Sequence, residues 1–205
     1  MRNGTKTVSR PRGRPRSFDE GEVLDRVRGV FMEKGFSGAS LDDLAEAAGL
    51  NRPSLYAAFG DKEQLYIAAL NRYGAMSVEA IEAIMARAVP IEKRVEQCLR
   101  AAIVMYCSSP RQLGCMIITT ATVEAPTHPK IAAAAEKLVH DFEASFERAF
   151  ARALRDGELE ASPSPATRAR LMSAVLDTLA VRARIGASAT SLKTYVMTIV
   201  PAICG

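Results

Sequence analysis

The chain has 205 residues, of which 48% are hydrophobic, 6% aromatic and none tryptophan. That apolar content excludes a chain disordered throughout and suffices for one large core or two modest ones. The formal charge is +4, yet residues 1–16 alone carry +6 from Arg2, Lys6, Arg10, Arg12, Arg14 and Arg16, leaving −2 for the rest. The basicity is therefore a terminal segment, which suits a polyanion partner, either nucleic acid or an anionic membrane surface.

Residues 1–17, with Gly4, Pro11, Gly13 and Pro15 among the charges, read as an extended arm. Residues 18–34 read as a helix, because Val23 or Leu24, Val27, Val30 and Phe31 recur at helical spacing, and Gly35 reads as its stop. Ser40 is a candidate N-cap for a short helix with Leu41, Leu44, Ala45 and Ala48 on one face. Asp42 and Asp43 then suit the first turn, and Gly49 ends the element. Asn51 can cap the next short helix, with Pro53 in the first turn, where a missing N–H costs little. Gly60 ends that helix, and Asp61 with Gln64 forms a candidate capping box for another.

Longer helices are predicted beyond this point. One carries Leu65, Tyr66, Ala69, Leu70, Tyr73 and Met76 and stops at Pro90. The next carries Val95, Cys98, Leu99, Ala102, Ile103 and Tyr106. A short apolar helix is predicted over 112–124, and a long one after His128, closed by Gly157. The last two are predicted over 166–185 and 188–199. No strand pattern competes, so the fold class is all-α with about nine helices. The four cysteines, Cys98, Cys107, Cys115 and Cys204, lack metal-ligand and CxxC spacing and read as buried free thiols. There is no apolar run of eighteen residues and no secretory-type apolar stretch, so a reducing cytoplasm is the expected setting. Neither a phosphate loop nor a nucleophile motif nor a metal cluster points to an enzyme or a cofactor.

Residues 18–66 resemble the N-terminal domain of the TetR family of bacterial repressors. The resemblance is carried by Phe31, Gly35, Phe36, Ser40, Leu41, Leu44, Ala45, Ala48, Gly49, Leu50, Leu55, Tyr56, Phe59, Lys62, Glu63 and Leu65. It implies a helix-turn-helix DNA-binding domain over 18–60 and an effector-binding and dimerisation domain over 61–205. It further implies a homodimer, built from the final two helices, that represses transcription from a palindromic double-stranded operator and is released by a small molecule. At Pro53, Ala57 and Ala58 the chain departs from the family's usual residues, so its operator sequence does not carry over.

On that resemblance, residues 51–59 form the helix that enters the major groove. Arg52 at its start is the expected base reader, since arginine pairs with guanine O6 and N7. Pro53, Ser54 and Ala57 are expected beside it at the bases. Tyr56, Lys62 and the helix start at Ser40 are expected at phosphates. Pro11, Arg12, Gly13, Arg14, Pro15 and Arg16 in succession also resemble an AT-hook, so Arg12, Arg14 and Arg16 are candidates for the minor groove. Met76, Ile84, Cys98, Ala102, Met105, Tyr106, Cys115, Met116, Thr119, Thr120, Phe142 and Phe146 are candidates for the effector pocket. With so few charges among them, the expected effector is lipophilic. Leu171, Val175, Leu176, Leu179, Leu192, Tyr195, Val196 and Ile199 are the expected dimer contacts. Two alternatives to the ligand-responsive repressor stay open: a repressor switched by oxidation of its cysteines, and a basic structural DNA-binding protein.

Overall fold

Side-chain caps set most of the helix starts. In the computed structural model, which describes residues 18–205, Asp19 accepts the Glu22 N–H and opens α1 (Glu20–Gly38). Ser40 and Asp43 form a reciprocal capping box at the start of α2 (Leu41–Ala48), and Gly49 closes that helix at φ 66. Asn51 accepts the Ser54 N–H and opens α3 (Arg52–Phe59). Asp61 and Gln64 form a second capping box for α4 (Lys62–Met85). There follow α5 (Ile91–Tyr106), a π turn (Ile117–Ala121) continued by the single turn α6 (Thr122–Glu124), α7 (Pro129–Arg155), α8 (Pro165–Arg184) and α9 (Ala189–Cys204). No strand occurs among the described residues.

Three elements differ from the sequence reading. Gly35 kinks α1 at φ 72 without ending it; one more turn follows, closed by the Ala39 N–H on the Gly35 carbonyl. The helix predicted from residue 112 starts later, because Gln112 and Gly114 both adopt positive φ. Its ladder is loosened by hydroxyls that bond back one turn, from Thr119 to the Cys115 carbonyl and from Thr120 to that of Met116. Helix α9 runs on through Pro201 to Cys204 rather than stopping at Ile199.

The core is continuous along the molecule. At one end Phe31, Phe36 and Tyr66 join α1 to α4, with Tyr66 edge-on to Phe31 at 4.9 Å and to Phe36 at 5.4 Å between centroids. Farther along, α4 crosses α7 at Gly74, where an added Cβ would lie 2.1 Å from Leu138 Cδ2. Alanine in a helix interior normally gains about 1 kcal/mol over glycine. Here overpacking against buried Leu138 costs about 1–3 kcal/mol. Gly74→Ala is therefore expected to lower stability by about 1 kcal/mol net, read as a drop in Tm. A raised Tm would show that the two helices separate freely at this point.

The faces of α8 and α9 show which of the expected dimer contacts the protomer's own core already covers. Leu179, Leu192 and Val196 are at most 1% exposed and belong to the protomer's own core, as do the buried Val175 and Leu176. Tyr195 and Ile199 are half-buried against that core. Of the expected set only Leu171 is exposed; Val181, Ile185 and Met197 on the same two helices and the turn between them are exposed as well. The apolar periodicity marks the side facing α5 and α7.

Candidate nucleic-acid interface and cavity

Helix α3 is held by one buried anchor, Leu55, and turns most of its other side chains outward. Arg52, Pro53, Tyr56 and Ala57 are exposed, and Ser54 is half-buried. The Arg52 guanidinium reaches back across the turn and forks onto the Asp42 carboxylate of α2, with Nε donating to Oδ1 at 2.7 Å and Nη2 to Oδ2. Asp42 therefore orients the candidate base reader and balances its charge; the pairing raises the Arg52 pKa further. This partnership spans ten residues, and the sequence reading assigned Asp42 only to the helix dipole.

The expected phosphate contacts are less free than the sequence suggests. The Ser40 hydroxyl already accepts the Asp43 N–H, and the Ser40 N–H already donates to Asp43 Oδ2. Hydrogen bonds from Lys34 and Ser40 hold the Asp43 carboxyl down at about 2, so it stays charged at neutral pH. Lys62 is half-buried, with Nζ over the Phe36 ring at 4.8 Å and donating to the Ser37 carbonyl. Burial lowers its pKa. Arg12, Arg14 and Arg16 lie outside the described residues.

A cavity of about 470 Å³ opens among α1, α4, α5, α7 and α8, within the usual range for small-molecule sites. The structure brings Met76, Ile84, Cys98, Ala102, Met105, Tyr106, Phe142 and Phe146 to its wall. Cys115, Met116, Thr119 and Thr120 are not on it. They belong to the segment behind the wall. There Cys115 Sγ accepts the Tyr73 hydroxyl at 3.3 Å, and Thr120 shares a 2.6 Å hydrogen bond with the Tyr66 hydroxyl. Met116 is wholly buried, and Thr119 bonds to its own chain at the Leu113 and Cys115 carbonyls. Conversely, Arg28 and Met32 of α1 line the cavity, although the sequence reading sought the wall only on the middle helices. The one available signal was a charged residue beside the Val27 and Phe31 stripe.

All four cysteines are free thiols. Burial pushes Cys98 up to about 12 and Cys204 up to about 11, and raises Cys107 and Cys115 as well. Protonated thiols are poor nucleophiles, so these surroundings disfavour an oxidation trigger. Among the described residues no group of three or more His, Cys, Asp or Glu could hold a metal ion. No helix among them is long and apolar enough to cross a membrane.

A polar junction ties the end of α1 to α6. The buried Glu124 of α6 accepts the Ser37 hydroxyl at 3.1 and 3.2 Å, fixing the end of α1. His128 stacks edge-on to Phe36 at 4.8 Å and places Nδ1 3.5 Å from the same carboxylate. The Tyr66 bond to Thr120 lies alongside. The end of α1, the first turns of α4, and the π turn with α6 are thus joined by short contacts.

Comparison with known proteins agrees with this architecture. Residues 23–69, from α1 into the first turns of α4, match the family described as bacterial regulatory proteins, tetR family. The HTH-type transcriptional repressor ComR of Escherichia coli K12 is 28% identical over 191 residues, covering 93% of this chain and 91% of its own. The HTH-type transcriptional repressor BdcR of the same strain is 29% identical over 192 residues, covering 92% and 90%. A solved structure of a cysteine mutant of the TetR family transcriptional regulator CifR, complexed with 26-bp double-strand operator DNA, is 30% identical with a TM-score of 0.82. That likeness covers 92% of this chain and 99% of CifR. The capped helix pair, the helical body around a cavity and this end-to-end similarity agree: the chain belongs to the TetR family of bacterial transcriptional regulators.

Proposed function

We propose that the protein is a homodimeric repressor that grips a palindromic operator through α2 and α3 and lets go when a small molecule fills the cavity. The observation that carries this is the junction at Glu124, which connects the cavity's neighbouring segment to the end of α1, the helix against which α2 packs. CifR, similar over nearly its whole length, is seen on operator DNA, which supports the same use of α3 here. In this reading Arg52 reads a base, Pro53, Ser54 and Ala57 flank it, and Tyr56 meets a phosphate. The DNA-binding domain is residues 18–60 and the effector domain 61–205, with the first turns of α4 packed under the former. The partner protomer meets the exposed Leu171, Val181, Ile185 and Met197. A ligand releases DNA only to the extent that it prefers a conformer whose two α3 helices no longer match successive grooves, about 34–36 Å apart.

Selection from random duplexes tests the reading: one palindromic sequence is expected to emerge. On that operator, Arg52→Ala is expected to relax the choice of base at one position per half-site by about 1–3 kcal/mol. Competition against single-base variants measures it. Equal weakening on every sequence would reassign Arg52 to the phosphate backbone, and recovery of no preferred duplex would remove the regulatory role.

A further inference from the structure

Among the described residues lining the cavity, Arg28 alone is charged, and its charge is poorly matched. Its Nε is buried without a hydrogen-bond partner. The nearest carboxylate oxygen, Asp25 Oδ1, stands 3.9 Å from that nitrogen, too far for a hydrogen bond. The other oxygen of Asp25 is held by Arg72 at 2.8 Å, so one carboxylate serves two guanidinium groups. On its remaining side Arg28 meets the Tyr73 ring, 5.7 Å from the centroid. The rest of the wall is mostly apolar, chiefly Met32, Met76, Ile84, Met105 and Phe142, with Ser77 and Ser108 as neutral polar groups, and it contributes no Asp or Glu. With its side chain 33% exposed, Arg28 stands at the mouth of the cavity, where its fork can meet an anion whose apolar body lies along the wall.

Resting on the reading of this cavity as the effector site, we propose that the effector is an organic carboxylate with an apolar body, its head group on Arg28 and its body among the methionines and Phe142. The guanidinium fork matches a carboxylate in two parallel hydrogen bonds, which a neutral oxygen does not match. Arg28 stands on α1, whereas most of the apolar wall stands on α4, α5 and α7. The same α1 bears Lys34, bonded to Asp43 of α2 at 2.6 Å, and Ser37, bonded to Glu124. The ligand therefore bridges the helix supporting the DNA reader and the helices of the effector body. The expected lipophilic effector becomes an amphipathic anion.

The test uses decanoate and decanol, which share a chain and differ in charge, titrated calorimetrically into the full chain without DNA. Wild type is expected to bind decanoate at least tenfold more tightly than decanol. Arg28→Met, which keeps the apolar stem, is expected to bind the two alike, and Arg28→Lys to keep part of the preference. Equal affinity in wild type, an undiminished preference in Arg28→Met, or no binding of either probe would each overturn the proposal. Repeating the titrations on the selected operator separates the two readings. Arg28-dependent binding that leaves DNA bound keeps the anion site and removes release. Release that is equal with both probes in wild type and Arg28→Met keeps release and removes the anion site.

Discussion

Replacing Arg168 with methionine will lower the unfolding free energy by about 3–5 kcal/mol, because four backbone carbonyls lose their buried donor. Arg168 is 1% exposed, and its partners are all backbone carbonyls: Pro163 from Nε, Ile203 from Nη1, and Glu160 and Ser162 from Nη2. The guanidinium thus closes the loop before α8 and ties the last turn of α9, where the negative end of the helix dipole favours a cation. Methionine fills much of the volume but donates nothing. Each carbonyl left dry costs about 1–3 kcal/mol, offset in part where water enters. Lysine is no remedy, because its compact ammonium cannot place donors along the same fork. For a chain of this size the loss corresponds to a fall in Tm of roughly 6–20 °C. Urea unfolding at a fixed protein concentration measures it, since a dimer's stability depends on concentration. A loss below about 1 kcal/mol would mean that these carbonyls find water without the arginine.

The contrast between caps and faces explains what the sequence discloses. Ser40, Asn51 and Asp61 are legible because a cap is local: a side chain meets an N–H three residues on. Gly49 is legible for the same reason, since its left-handed φ is a property of one residue. The partner of an apolar face is not local. Leu179, Leu192 and Val196 announce burial by their spacing, but spacing does not say whether the covering surface is α5 and α7 or a second copy. The π turn escapes notice because its geometry comes from which carbonyl each threonine hydroxyl selects. Arg28 and the partner of Arg52 escape for a third reason. Their meaning lies in Asp25, Arg72 and Asp42, and only the fold sets which carboxylate is already taken.

Deletion of residues 1–16 will weaken operator binding most at low salt and flatten its salt dependence. The described body offers DNA little net positive charge: outside the first sixteen residues the chain sums to −2. At the helix pair itself Asp42 balances Arg52, Asp43 stays ionised beside Ser40, and Lys62 is drawn toward Phe36. The six cations of the arm must then supply much of the counterion release. Each phosphate neutralised contributes about −0.9 to the slope of log affinity against log salt, so engagement of four to six steepens it by roughly 3.6–5.4. Between about 50 and 200 mM salt such a difference amounts to two to three orders of magnitude, and the full-length and truncated curves should converge as salt rises. Flanking sequence then separates two modes of contact. If Arg12 and Arg14 enter a narrow minor groove, the full chain will prefer A·T-rich flanks and the truncated chain will not, since groove width is a property of the sequence. If the arm holds phosphates alone, the loss will be the same on every flank. An unchanged slope after deletion would require a third arrangement, in which binding forces Arg52 to exchange Asp42 for the duplex and Lys62 to leave Phe36, and Asp42→Asn would then tighten binding to every operator variant alike.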